Sequence, residues 1–116
     1  MFSKTPVELL IKDFSNIYNK CQSVYELVCS RRYDESLAIL TTAEAYAIAE
    51  KAYLRCDTCQ ELQTREVEVF VTSFDTFYFE LKQVLFHGKD DLPSLHQRLL
   101  DMRTAYEKLN EAFGLI

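Results

Sequence analysis

The side chains in this 116-residue chain best suited to metal or thiol chemistry are Cys21, Cys29, Cys56, Cys59, His87 and His96. Cys56-Asp57-Thr58-Cys59 has the spacing at which two thiolates can reach one tetrahedral zinc ion. A closed zinc site needs two further ligands, and the sequence holds no second close pair. Cys21 and Cys29 would stand about 12 Å apart on a helix rising 1.5 Å per residue, too far to chelate one ion together. A redox role for the same CxxC would require Cys56 at a helix start, where the dipole lowers a thiol pKa, and a surrounding βαβ pattern that is absent. Cys56 and Cys59 are thus the candidates for metal or redox chemistry. The plainer expectation is two buried, reduced thiols one helical turn apart.

Other catalytic arrangements are not visible. No Cys/His pair stands at a spacing that defines nucleophile, base and oxyanion donors. There is no Glu-x-x-His for a di-iron bundle site and no glycine-rich phosphate loop. The acidic side chains Asp13, Glu26, Glu44, Glu50, Glu61, Glu66, Glu68 and Glu80 are scattered along helices with Lys and Arg among them, as on a solvated exterior. The sequence therefore points away from an enzyme and implies no cofactor. The net charge of −5 and the lack of any basic run beyond Arg31-Arg32 disfavour nucleic acid and anionic membranes as partners. The N-terminal residues lack an apolar signal segment, and no apolar stretch approaches the ~20 residues of a membrane span. A cytoplasmic protein with reduced thiols is the expectation.

The elements that must carry these residues follow from punctuation and period. With 48% apolar and 27% charged residues the chain has globular composition, and its length suits one domain over residues 1–116. Two glycines and two prolines are too few for a β-rich fold with many tight turns. Thr5-Pro6-Val7-Glu8 reads as a capped helix start, followed by a stripe from Val7 through Leu10, Phe14, Ile17, Cys21 and Val24 to Val28. Asp34 should cap a second helix, whose inner face is expected to hold Leu37, Leu40, Ala47, Ile48, Ala52 and Cys56. A helix running unbroken from Asp34 to His87 would be about 80 Å long, so a break is required. Thr58-x-x-Glu61 places it near 56–64 as a second capping box, with Thr41-x-x-Glu44 as the rival. A third helix over about 60–87 carries Val67, Phe70, Val71, Phe74, Phe77, Tyr78, Leu81, Val84 and Leu85. This stripe outlasts the five-residue alternation around Val69 that would suit a strand. The loop 87–93, with Gly88 and Pro93, separates it from a fourth helix striped by Leu95, Leu99, Met102, Tyr106, Leu109 and Phe113.

The third helix has more apolar surface than one face can bury. Val69-Phe70-Val71, Phe77-Tyr78-Phe79 and Val84-Leu85-Phe86 each span about 200° of its circumference. Either the helix is central, or the residues off its main stripe, Val69, Phe79 and Phe86, meet another chain.

Arg32-Tyr33-Asp34-Glu35-Ser36-Leu37-Ala38 resembles the turn and second-helix opening of a tetratricopeptide repeat, without that family's 34-residue recurrence. In size, acidity and helix content the chain is similar to small type III and flagellar export chaperones, a resemblance that implies masking of a partner's helix. The expected fold is an all-α, antiparallel four-helix bundle with helices near 5–30, 34–56, 60–87 and 93–113; a spectrin-like arrangement of three long helices is the alternative. The expected function is a non-enzymatic interaction module that binds a partner protein, or itself as a homodimer, through Val69, Phe79 and Phe86. A thiol- or zinc-responsive domain using Cys56 and Cys59 is the alternative.

Overall fold

A computed structural model of the chain describes residues 5–30, 32–88 and 90–114. Among these residues there are four α-helices: α1 Pro6–Cys29, α2 Glu35–Thr58, α3 Arg65–His87 and α4 Leu92–Ala112. They form an antiparallel bundle, and the three-helix alternative is excluded because the chain breaks between α2 and α3. Residues 1–4 and Lys89, the latter within the expected loop, lie outside the described residues.

The helix ends follow the polar punctuation with one exception. Thr5 accepts from the Glu8 backbone N–H at 3.1 Å, and Asp34 accepts from that of Leu37 at 3.0 Å. Gly88 closes α3 at φ 68°, the left-handed conformation that a residue without Cβ adopts freely. Asp91 caps α4 through the Ser94 N–H. The exception is Thr58, expected to start the third helix. Its hydroxyl instead donates back to the Leu54 and Arg55 carbonyls, within the last turn of α2. The chain then passes through a 3-10 turn, Gln60–Leu62, and Thr64 caps α3 by accepting from the Val67 N–H. The break falls where expected, but the cap lies six residues later. A threonine hydroxyl can satisfy a carbonyl one turn back as readily as an amide one turn on, and the sequence alone does not choose between them.

α1, α3 and α4 supply the large core side chains, among them Leu10, Phe14, Ile17, Phe70, Phe74, Phe77, Leu95, Met102 and Leu109. Phe14 and Phe70 stack across the centre with ring centroids 4.1 Å apart, and Tyr106 meets Phe70 edge-on at 6.4 Å. Leu62 of the 3-10 turn is fully buried and anchors the α2–α3 link to the core.

α2 is oriented differently from the sequence expectation. Its buried residues are Ala38, Thr42, Ala45, Ala49 and Ala52, while Leu37, Leu40 and Ala47 lie on the exposed surface. Of the expected inner face only Ala52 is buried, with Ile48 and Cys56 half-buried. Turning about 100° per residue, the buried set occupies one side of the helix. Alanines there let the α2 backbone approach α1 closely, which a leucine face would prevent. Arg55 of α2 forms a half-buried ion pair with Asp13 of α1, and Lys20 reaches Glu44 at 3.7 Å. Weighting leucine above alanine placed the inner face on the wrong side.

This orientation separates two kinds of substitution. Ala45→Leu should overpack the α1–α2 contact and lower unfolding free energy by about 1–3 kcal/mol. Leu40→Ala, in dilute solution, should change it by less than about 0.5 kcal/mol. Urea denaturation followed by circular dichroism measures both, and the reverse ranking would mean that α2 faces the other way.

Candidate interaction surface

The outer side of α3 carries the three residues that fall off its main stripe. Val69, Phe79 and Phe86 are 45%, 58% and 57% exposed. α3 therefore occupies a corner of the bundle and is not wrapped by the others. Phe79 and Phe86 are seven residues apart, which is two turns, about 10 Å along the axis and within about 20° around it. They form one aromatic pair on the face turned away from the core.

Val69 does not join them. It lies about 80–100° around the helix from the pair, on the side facing α4. There it lines a shallow groove with Thr72, Thr76, Arg98 and Asp101. Arg98 pairs with Asp101 at 3.3 Å, so Val69 sits in a charged seam, not on the aromatic surface. The sequence identified all three as surplus apolar residues, but spacing alone did not show that they divide between two faces.

The seam between α2 and α3 is made by side chains. Tyr46 of α2 stacks on Tyr78 of α3 at 5.2 Å, and Tyr53 donates to Asp75 at 3.4 Å. Lys82 stands 4.6 Å over the Tyr78 ring. Burial, then the carboxylate of Asp75, pushes the Tyr53 phenol well above its ordinary pKa, while burial raises that of Asp75. The phenol proton is held more firmly than in solution, as suits the donor of this bond, while accepting that bond works against the effect of burial on Asp75. These rings form a half-covered apolar floor between the exposed aromatics of α3 and the outer face of α2.

That outer face carries a second group of exposed apolar residues, of which Leu40 and Ala47 are expected from the sequence to lie on the inner face. Leu40 and Leu54 are 58% and 66% exposed, with Ala43 and Ala47 exposed between them. The missed signal was the alternate alanine face, Ala38, Ala45, Ala49 and Ala52, which has the same helical period.

The CxxC lies at the end of α2. Cys56 is in the last turn and Cys59 is the C-cap residue, the reverse of the helix start that a reactive thiol would favour. Burial, followed by the neighbouring Asp57 carboxylate, pushes the Cys56 thiol up. Cys59 directs its sulfur to Glu61 Oε1 at 3.6 Å. Cys21 is buried in the core, where burial strongly raises its pKa, and Cys29 is exposed. Among the described residues no group of three or more His, Cys, Asp or Glu side chains could hold a metal ion. His96 stacks on Tyr25 at 5.1 Å, and His87 lies in the last turn of α3.

Comparison with protein-family models, with curated proteins and with solved structures finds no match to this chain. What the surface does is therefore inferred from its own geometry.

The thiols give a direct check on this arrangement. A disulfide-exchange reagent at pH 7.5 should label exposed Cys29 first and Cys21 only on unfolding. Cys56 should react more slowly than an unstructured cysteine peptide, because a raised pKa leaves less thiolate at neutral pH, and should accelerate as pH rises. Fast labelling of Cys56 at pH 7 would contradict its placement.

Proposed function

We propose that this chain is a non-enzymatic protein-interaction module of the cytoplasm, with the exposed aromatic pair Phe79 and Phe86 of α3 as its contact for a partner protein. The supporting observation is that two phenylalanines, each more than half exposed, share one face of a helix whose opposite face is fully packed. Burying each such side chain contributes about 1.5–3 kcal/mol, and aromatic anchors with an apolar surround are what protein contacts use. An amphipathic helix laid along α3 would place one side chain in the two-turn space between the rings. Lys82 on the same side adds a site for a partner carboxylate. No helix among the described residues is long and apolar enough to cross a membrane. The net charge of −5 supports a protein partner over a polyanion.

A photo-crosslinking phenylalanine analogue placed at Phe79 or at Phe86 in cells tests this reading, with Glu107 on the exposed side of α4 as control. Adducts of discrete mass should form from positions 79 and 86 and not from 107. Phe86→Asp should abolish the adduct formed at 79 while leaving the melting temperature within a few degrees. Absence of a discrete adduct from both positions would refute the reading.

A further inference from the structure

The geometry points to a second copy of this chain as the occupant of the outer face of α2, docked antiparallel about a two-fold axis near Ala47. The Phe79 and Phe86 pair lies on another helix, and neither surface needs the other.

The first observation is the inverted burial of α2. Its core side carries only alanines and Thr42, while leucines point outward. At about 100° per residue, Leu40, Ala43, Ala47 and Leu54 fall within about 60° of one another, directly opposite the buried alanines. A helix apolar on both sides is suited to a buried position, yet one side of α2 is exposed. The outward stripe has Leu40 and Leu54 at its ends, about 21 Å apart, and the small residues Ala43 and Ala47 in the middle, where a second helix backbone can approach closely.

The second observation is the charge pattern, which selects the occupant. An antiparallel two-fold pairing requires the face to complement itself when its direction is reversed. Rotation about an axis near Ala47 brings Leu40 beside Leu54 of the other copy, and Ala47 beside its own counterpart. The same operation places Glu44 opposite Lys51 of the other copy, twice. Both residues lie on the α1 side of the stripe, the flank on which antiparallel helices pair like positions. An arbitrary apolar helix would meet this face as an equal, but only a reversed copy of the same sequence matches leucine to leucine and opposite charges to each other at once. Glu44 now reaches Lys20 of its own chain at 3.7 Å, an exposed contact of small energy that leaves the carboxylate able to turn outward.

Light scattering on the reduced protein, from about 1 µM to about 1 mM, covers the range expected of an interface built on one helix pair. Dimerisation is expected. Glu44→Lys sets two lysine pairs against each other, and Lys51→Glu two glutamate pairs. Each should weaken the dimer by about tenfold or more. The double variant E44K/K51E restores opposite charges and should bring the dissociation constant back to within about threefold of the original. Leu40→Asn with Leu54→Asn should leave only monomer, with helical content unchanged by circular dichroism. A monomer throughout the series would overturn the inference, as would a dimer indifferent to both charge reversals or one lost only on replacing Phe79 and Phe86. A monomer that still forms discrete adducts from positions 79 and 86 removes the two-fold dimer while leaving the partner surface of α3 in place; a dimer without those adducts does the reverse.

Discussion

The close approach of α2 to α1 through a face of alanines governs the arrangement of this bundle. Ala38, Ala45, Ala49 and Ala52 have almost no side chain to interpose, so the two backbones come near each other and the larger residues of α2 are displaced to its other faces. α2 then contributes little volume to the interior. The phenylalanines and leucines of α1, α3 and α4 fill it, with the Phe14–Phe70 stack at the centre. α2 covers one side of that core as a thin wall. Its stability derives from alanine's high helix propensity and from the Asp13–Arg55 tie, more than from large side chains of its own.

A thin wall has a consequence at its edge. Where α2 meets α3, bulky aromatic residues on α3 hold the helices further apart than α1 and α2, and tyrosines bridge the difference. Their rings pack on apolar surface while their hydroxyls reach Asp75 or solvent, a division of labour that suits a seam half-covered by water. The bundle is thus closely packed along α1–α2, and looser and more polar along α2–α3.

Much of this was legible from residue order. Thr5, Asp34 and Gly88 marked helix ends because few other residues satisfy orphan backbone groups or adopt positive φ. The stripes of α1, α3 and α4 were clear because each combines large apolar residues with one strong period. That strength also made Val69, Phe79 and Phe86 stand out as surplus. α2 resisted reading because two faces share its period, one of alanine and one of leucine, and the energetic advantage of close backbone packing is a property of the pair of helices. The cap at Thr64 was missed for a related reason: the hydroxyl of Thr58 has acceptors within its own helix. The separation of Val69 from the two phenylalanines depends on where α4 lies, which spacing within α3 cannot express.

The link between Cys59 and Thr64 divides the chain into two helical hairpins, α1–α2 and α3–α4, each held mainly by contacts between neighbours in sequence. Such local contacts close small loops and cost little chain entropy, so each hairpin can form in the sub-millisecond range typical of helical bundles. The later event is their docking, when Phe14 of one hairpin meets Phe70 of the other and Leu62 enters the core. Until then both hairpins expose aromatic surface, and two chains docking at once could exchange halves across that link. The buried Leu62 works against this: straightening the link to reach another chain would draw a leucine out of the core, so the folded monomer is guarded against swapping by one side chain in the link between its two hairpins.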